Sequence, residues 1–451
     1  MLENDITSVP RAYVVGLRTD QTEKQFQNSV DECAALAEAA GYEVVWIFTQ
    51  NLPSVHKATY VGEGKIEEIR DTLENVPADA VIFDDTLTPM QIRNIGKILG
   101  TVVLDRTGLI LDIFSDRAQT REAKLQVESA KLQYMLPRLA GLRQNLDRQG
   151  GNSGARSSRG AGEKQIELDR RHIEHRLTIL RKELAQVKKE RETQRNRRLR
   201  TGEFLVALVG YTNAGKSTLM NDLLQFYGDG KSKEKTVLEK DMLFATLDTT
   251  IRRISPKGGR PFLISDTVGF ISALPTALVE AFHSTLEEAV YADLLIQVVD
   301  YSDEDHAFQE EITARTLKEI GAGNIPMITV YNKMDRYRER IRTELPEGTD
   351  ILSIPTFPQA REDRVYTVLK NREENRELVE KSLQELLTLI ESKRSAEEEL
   401  HTFRIPYAQT GDLHKLKELG LPVSEQYLED YIELQIKIRK ELCEEYREYE
   451  A

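Results

Sequence analysis

Short apolar runs alternate with amphipathic stretches over the first 115 residues, which is typical of strands separated by helices. The predicted strands are 11–17, 42–48, 80–83 and 101–104, and the predicted helices are 26–40 and 89–99. This alternation favours a parallel sheet covered by helices. Gly62-Glu-Gly-Lys65 resembles a phosphate loop but lacks the P-loop spacing and precedes a helix from about residue 66. A second nucleotide site there is therefore disfavoured.

From Arg121 the apolar period changes to seven, the spacing of packed helices. The first stripe is Leu125, Leu132, Leu139 and Leu146, and the second is Ile166, Ile173, Leu177, Leu180, Leu184 and Val187. We expect two antiparallel helices that form a hairpin, either free-standing or partly buried on a sheet. Residues 147–163 between them are rich in Gly, Ser and Arg. They are interpreted as a tip that orders on a phosphate-rich surface, or as a flexible linker.

The charge distribution separates this hairpin from the rest of the chain. The 451 residues carry a net charge of −13, which alone argues against a nucleic-acid partner. Residues 117–200, however, hold 22 lysines and arginines against 10 acidic residues, a net +12 that leaves −25 for the remainder. Such a basic block indicates a localised nucleic-acid footprint. The predicted RNA contacts are Arg148, Arg156, Arg159, Lys164, Arg170 and Arg171.

The remaining composition indicates a protein of a reducing compartment. The two cysteines, Cys33 and Cys443, do not suggest a disulfide framework. Neither a targeting segment nor an apolar run long enough to span a bilayer is apparent, so we expect a cytoplasmic protein without a membrane span. We also expect a monomer.

After residue 395, a strand at 401–406, a helix at 411–419 and the alternating run 431–438 predict a small α+β domain.

A strand that runs directly into G-x-x-x-x-G-K-S at residues 205–217 predicts a phosphate-binding P-loop. Gly210 and Gly215 let the backbone amides converge on phosphates at a helix N-terminus. Lys216 can reach the β- and γ-phosphates, and the Ser217 hydroxyl can bind Mg²⁺. The sequence therefore predicts a nucleoside triphosphate site.

Two later motifs identify the nucleotide. Asp266-Thr-Val-Gly269 follows a strand, so its carboxylate can hold a Mg²⁺ water and its Gly N–H can touch a γ-phosphate. Asn332-Lys-Met-Asp335 ends another strand, and Asp335 can accept from the ring N–H and the exocyclic amine of guanine. A buried carboxylate without these donors would be costly, so the site discriminates against adenine. The order of the motifs predicts a GTPase.

The segment 244–250 should supply a threonine to Mg²⁺ and the γ-phosphate. Thr246, Thr249 and Thr250 are equal candidates on chemistry alone, and they could also belong to the start of an ordinary strand. Phe270 stands where Ras-like enzymes carry a glutamine that orients water. Because a phenyl ring cannot do this, we expect slow hydrolysis until a partner orders the site.

These pieces together resemble the HflX family of ribosome-associated GTPases. The similar motifs are Tyr60-Val-Gly-Glu-Gly-Lys, Leu136-Pro-Arg-Leu, Arg148-Gln-Gly-Gly, Arg159-Gly-Ala-Gly-Glu, Asp169-Arg-Arg, the P-loop, Phe244-Ala-Thr-Leu-Asp and Asp266-Thr-Val-Gly-Phe-Ile. The resemblance implies that Thr246 is the Mg²⁺-binding threonine and that Ser353-Ile354 is the fifth guanine-contacting element. This chain departs from the family in its longer hairpin loop, with Ala161 in place of proline, in Ile354 in place of alanine, and in its long charged stretch 355–372.

The resemblance also implies that the partner is the large ribosomal subunit with its rRNA. The implied activity is the splitting of stalled or stress-inactivated ribosomes. GTP hydrolysis would then reset the protein from its GTP-bound form. Alternatives are a GTPase of large-subunit assembly, a ribosome-protection variant that confers antibiotic resistance, and an RNA-binding module whose GTPase domain is only a platform.

The predicted architecture is an α/β fold with four parts: an N-terminal α/β domain at 1–115, a basic helical hairpin at 116–202, a P-loop GTPase domain at 203–392 and the C-terminal domain at 395–451. Its predicted catalytic residues are Lys216, Thr246 and Gly269, and its predicted Mg²⁺ ligands are Ser217, Thr246 and Asp266. The predicted GTP/GDP contacts are Gly210, Tyr211, Thr212, Asn213, Ala214, Gly215, Lys216, Ser217, Thr218, Phe244, Ala245, Thr246, Leu247, Asp248, Asp266, Thr267, Val268, Gly269, Asn332, Lys333, Met334, Asp335, Ser353 and Ile354.

Overall fold

The structure is a computed structural model that describes most of the chain. The described residues are 9–149, 156–228, 244, 250–257, 259–272, 288–337, 364–367, 376–396 and 398–451. The chain forms two compact units. The first comprises Met1–Val187, Lys240–Asp248 and Ile271–Ser284, and the second comprises Lys188–Glu239, Thr249–Phe270 and Thr285–Ala451.

The first unit contains a four-stranded parallel sheet, as the alternation of strand and helix predicts. Its strands are β1 (Arg11–Arg18), β2 (Glu43–Asn51), β3 (Ala80–Phe83) and β4 (Val102–Asp105), in the order β2-β1-β3-β4. Its helices are α1 (Glu23–Ala39), α2 (Glu63–Asn75), α3 (Pro89–Leu99) and α4 (Arg106–Arg117). Tyr13, Phe83 and Ile95 are fully buried in its core. Asp105 caps α4 by accepting from the Gly108 N–H at 2.8 Å.

Two long helices follow, α5 (Arg121–Gln149) and α6 (Arg156–Thr201). The interpretation of 147–163 as a tip without helix is wrong for 147–149 and 156–163, which belong to these helices. Arg176 donates to both carboxylate oxygens of Glu128 at 2.6 and 2.7 Å, and Arg121 lies 3.9 Å from Glu183. From the first of these pairs to the second, the residue number falls by seven on α5 and rises by seven on α6. The two helices are therefore antiparallel. The apolar stripe predicted from the sequence supplies the buried residues Leu125, Leu177 and Leu180. At 1.5 Å per residue, α6 is about 69 Å long.

The second unit is built on a six-stranded sheet in the order β10-β9-β8-β5-β7-β6. The strands are β5 (Leu205–Val209), β6 (Thr250–Ile254), β7 (Phe262–Asp266), β8 (Leu294–Asp300), β9 (Met327–Asn332) and β10 (Arg364–Tyr366). All pairings are parallel except β6 with β7. The helices α7 (Lys216–Tyr227), α8 (His306–Glu319) and α9 (Arg376–Ala396) accompany this sheet. The carboxyl ends of the central parallel strands therefore lie at one edge, where such sheets bind ligands.

The end of the chain, also in the second unit, is a three-stranded antiparallel sheet in the order β11-β13-β12. Its strands are β11 (Glu399–Pro406), β12 (Leu421–Tyr427) and β13 (Tyr431–Ile438), and its helices are α10 (Thr410–Leu419) and α11 (Lys440–Cys443). Ile432, Leu434, Ile436 and Ile438 alternate along β13 and are buried. This agrees with the alternation seen in the sequence.

The α/β fold class is confirmed. β12 was not foreseen from the sequence, whereas β6 begins at Thr250, in agreement with the alternative that these threonines start an ordinary strand. Among the described helices, none combines the length and the apolar character that a membrane span requires. The four-domain division stays a prediction.

Candidate nucleotide site

The P-loop connects β5 to α7 through backbone conformations that demand small residues. Gly210 has a φ of 140°, and a Cβ there would lie 2.2 Å from the carbonyl oxygen of Val298. Gly215 has a φ of 97° and immediately precedes α7, while Asn213 has a φ of 60°. Left-handed residues at these points curl the chain over a helix N-terminus, as phosphate binding requires. These backbone conformations are the ones that a phosphate cradle needs.

Lys216 is held inside this curl. Its Nζ donates to the carbonyl oxygens of Gly210 at 3.1 Å and Tyr211 at 2.8 Å, and the residue is 6 % exposed. Burial lowers the pKa of Lys216 to about 8, although the charge of Asp266 opposes the shift and that of Lys333 adds to it. Within the described part of the chain this buried ammonium donates to two backbone carbonyls, and it is well suited to donate to anionic oxygens.

Ser217 and Asp266 meet beside the lysine. The Ser217 hydroxyl donates to Asp266 Oδ2 at 2.6 Å, and Asp266, at the end of β7, is fully buried. A hydroxyl and a carboxylate are hard oxygen donors of the kind that Mg²⁺ prefers, with phosphate and water completing the shell. The described residues contain no cluster of three or more His, Cys, Asp or Glu that would form an all-protein metal cage. This donor set thus fits a metal ion shared with a nucleotide phosphate.

The D-x-x-G motif is packed tightly against the P-loop. The Thr267 hydroxyl donates to the Leu208 carbonyl at 2.6 Å. A Cβ on Gly269 would lie 2.7 Å from Thr212 Cα and 3.0 Å from Lys216 Nζ, so only glycine fits. This close approach places the Gly269 backbone beside the phosphate cradle.

Phe270 continues this contact through its backbone. Its N–H donates to the Gly210 carbonyl at 3.1 Å, and its carbonyl accepts from the Thr212 N–H at 2.8 Å. The residue is 3 % exposed. The side chain at the position that carries a glutamine in Ras-like enzymes is thus buried and apolar.

The guanine-reading motif ends β9. Asn332 is fully buried, and its amide donates to the Ala214 carbonyl of the P-loop at 2.8 Å. Lys333 adopts a φ of 59° and its Nζ lies 2.7 Å from Asp300 Oδ2, at the end of β8. Met334 and Asp335 follow directly at the start of a helical turn. The structure thereby ties the base reader to the phosphate loop.

Thr367 is a member of this site that sequence reasoning missed. Its hydroxyl donates to Asn332 Oδ1 at 2.8 Å, its N–H donates to the Tyr331 carbonyl at 2.8 Å, and its carbonyl accepts from the Met334 N–H at 3.2 Å. Thr367 directly follows β10, which pairs with β9. The available signal in the sequence was a polar residue, Thr367, directly after a short strand. That strand lies within the charged stretch 355–372, so it was not recognised.

Several predicted site residues lie outside the described residues: Ala245, Thr246, Leu247, Asp248, Ser353 and Ile354. Their roles stay predictions. Thr250, one of the three candidate threonines, begins β6 opposite Asp266.

Of the predicted RNA contacts, Arg170 and Arg171 form exposed ion pairs with Glu174 and Glu167 on α6. The side chains of Arg148, Arg156, Arg159 and Lys164 lie outside the described part of the chain.

Three known families match consecutive parts of the chain. Residues 27–115 match the family described as GTP-binding GTPase N-terminal, residues 117–198 match GTP-binding GTPase Middle Region, and residues 205–333 match 50S ribosome-binding GTPase. A GTPase HflX of Caldanaerobacter subterraneus is 39 % identical over 97 % of this chain and 93 % of the relative. A GTPase HflX of Lacrimispora saccharolytica is 40 % identical over 96 % of this chain and 94 % of the relative.

Among solved structures, one similar chain is a GTP-binding protein from Sulfolobus solfataricus in complex with GDP. It is 25 % identical, with a TM-score of 0.43, and the match covers 84 % of this chain and 99 % of that one. Near-full-length identity of about 40 % to the two HflX relatives, together with the P-loop and the guanine-reading motif, identifies the chain as a GTP-binding and GTP-hydrolysing protein of the HflX GTPase family.

Proposed function

We propose that this GTPase is a cytoplasmic, Mg²⁺-dependent switch that binds the large ribosomal subunit and splits stalled or stress-inactivated ribosomes. The observation that carries the proposal is the basic hairpin formed by α5 and α6. Residues 117–200, which hold nearly all of this hairpin, carry a net +12 in an otherwise acidic chain, and α6 ends at Thr201, a few residues before the first strand of the nucleotide site. A polyanionic partner is the natural ligand of such a block.

Known relatives support the choice of partner. The family matched by residues 205–333 is described as a 50S ribosome-binding GTPase. Ribosomal RNA presents the dense phosphate surface that arginines at the last turn of α5 and the first turns of α6, where the hairpin has its tip, can contact. We therefore assign the rRNA contact to Arg148, Arg156 and Arg159.

The nucleotide site supplies the switch. Ser217 and Asp266 would hold Mg²⁺, and Lys216 would bind the phosphates. The metal would neutralise charge on the phosphates as the γ-phosphoryl group leaves. Thr246 and Gly269 would close on the γ-phosphate and order their loops, which hydrolysis then releases. In this scheme GTP favours the form that docks on RNA and GDP favours release.

Dissociation of intact ribosomes, followed by light scattering, tests the assignment. Wild-type protein with GTP should lower the scattering, whereas the triple variant Arg148→Ala, Arg156→Ala and Arg159→Ala should not. Each lost phosphate contact should also reduce the log–log salt slope of ribosome binding by about one unit. Guanine-nucleotide affinity should be unchanged.

A matched control removes three exposed arginines elsewhere. Arg70, Arg315 and Arg404 have side chains that are 44, 66 and 54 % exposed and form surface ion pairs, so their replacement by alanine changes the net charge equally. This control should split ribosomes at the wild-type rate. If the tip variant also splits them at that rate across the salt series, the tip does not make the RNA contact.

A further inference from the structure

Helix α4 in the first unit contacts two chain segments that adjoin the nucleotide motifs. At its first turn, Arg106 binds Ser272, three residues beyond Gly269 in the sequence. Near its end, the Phe114 ring packs edge-on against Phe244, with centroids 4.7 Å apart and an interplanar angle of 79°. Phe244 is the first residue of the Phe-Ala-Thr-Leu-Asp motif. One helix therefore contacts both segments.

The Arg106 guanidinium is buried between two carboxylates. Arg106 is 2 % exposed, and its Nη1 donates to Asp84 Oδ1 at 2.5 Å. Its Nη2 donates to Glu32 and, at 3.1 Å each, to the carbonyl oxygen and the hydroxyl oxygen of Ser272. Burial raises the pKa of Asp84 to about 6, although Arg106 opposes that shift.

Each polar group of Ser272, namely its N–H, its carbonyl and its hydroxyl, forms a hydrogen bond with Arg106 or Glu32. Its N–H donates to Glu32 Oε1 at 3.3 Å, and its hydroxyl donates to the other oxygen of the same carboxylate. Its carbonyl and hydroxyl oxygens accept from Arg106. Such a pair of ionic partners fixes both the position and the orientation of the residue.

The chemical character of this cluster points to more than stability. Burying ions is expensive, and apolar residues of similar volume often stabilise a core equally well. Asp84 directly follows β3 and Arg106 directly follows β4. Both lie at the carboxyl ends of parallel strands, where open α/β sheets bind their ligands. In this sheet, the group bound at that position is Ser272 of the same chain.

We propose that α4 is a positioning element for GTP hydrolysis. Arg106, together with Glu32, fixes Ser272 and thereby the end of the segment that carries Gly269, while Phe114 fixes Phe244. The start of that segment is already held by β7, and Phe270 is bonded to the P-loop. A segment fixed on both sides costs less entropy when the Gly269 N–H meets a γ-phosphate.

This role predicts an effect on kcat rather than on KM. The P-loop and the base reader bind GDP and GTP alike, so they determine most of the ground-state affinity. The contact of Arg106 and Glu32 with Ser272 acts on the Gly269 N–H, which would contact only the γ-phosphate. Since no ribosome is needed for this effect, the inference stands apart from the proposed ribosomal function.

The test is steady-state GTP hydrolysis at varied GTP concentration by the full-length protein without ribosomes. Ser272→Ala should lower kcat by about tenfold, equivalent to ~1.4 kcal/mol, and leave the KM for GTP unchanged. Ser272→Thr keeps the hydroxyl and should stay close to wild type. Arg106→Gln removes the donor to both the carbonyl and the hydroxyl of Ser272 and should lower kcat at least as much. The loss in the double variant should be smaller than the product of the two single losses, because both changes act on the same contact.

Arg176→Gln is the matched control. Arg176 also forms an ion pair in the first unit, donating to both oxygens of Glu128 at 2.6 and 2.7 Å, but it joins α5 to α6. Its loss should leave turnover unchanged. Wild-type kcat in Ser272→Ala, an equal loss in Arg176→Gln, or a raised KM with constant kcat would each overturn the proposal. If Arg106→Gln does not fold, Ser272→Ala decides alone, since it removes only one hydroxyl.

Discussion

Nucleotide binding should take up a proton at Lys216. In the free protein, burial lowers the pKa of this ammonium to about 8. Bound phosphates add several negative charges beside it, which raises the pKa. Above pH 7 the free protein therefore holds fewer protons than the complex, and by linkage the affinity falls as the pH rises.

The size of the effect follows from that pKa. With about 8 in the free protein and a much higher value in the complex, uptake is about 0.5 proton at pH 8 and about 0.9 at pH 9. The dissociation constant for GDP should accordingly rise about tenfold between pH 7 and pH 9.

Isothermal titration calorimetry with GDP measures this uptake directly. Titrations at pH 8 in two buffers with different ionisation enthalpies give the protons exchanged, and the nucleotide's own titration, measured without protein, is subtracted. At about pH 6.5 the uptake should vanish, which serves as the control. Zero uptake at pH 8 would refute the reasoning, because Lys216 would then be fully protonated before nucleotide binds.

Three further predictions concern the nucleotide site. Asp335→Asn removes two charge-assisted hydrogen bonds to guanine, so GTP affinity should fall by about 10²-fold or more while xanthine nucleotides bind better; unchanged affinity for fluorescent GTP would contradict the assignment. Thr367→Val deprives Asn332 of its hydroxyl donor and should weaken GDP binding by about tenfold, in contrast to Thr388→Val on the exposed side of α9, where the hydroxyl bonds only its own helix. Because Phe270 offers no polar group to water, phosphate release should be slow alone and strongly accelerated by large ribosomal subunits, and equal rates would show that the partner does not complete the site.

The nucleotide motifs can be recognised in the sequence because the chemistry there leaves few alternatives. Gly210 must adopt a φ of 140° against a backbone carbonyl, and Gly269 must approach Thr212 closely, so these residues carry a local signal. Strand β5, directly before the P-loop, was likewise predicted, because a fully buried parallel strand is a continuous apolar run.

What the sequence misses depends on distant contacts. Arg106 looks like an ordinary helical arginine until Glu32, Asp84 and Ser272 surround it from positions as much as 240 residues apart. Thr367 likewise gains its role only when β10 pairs with β9. Neither partnership has a periodicity or a motif, so local pattern cannot reveal it.

Sedimentation of intact ribosomes tests the central claim most directly. Ribosomes incubated with the protein and GTP, or with a non-hydrolysable GTP analogue, should separate into subunits, with the protein retained on the large subunit when the analogue is present. With GDP they should stay intact. Intact ribosomes under all three conditions, or equal splitting with GDP and with GTP, would contradict a GTP-controlled splitting function.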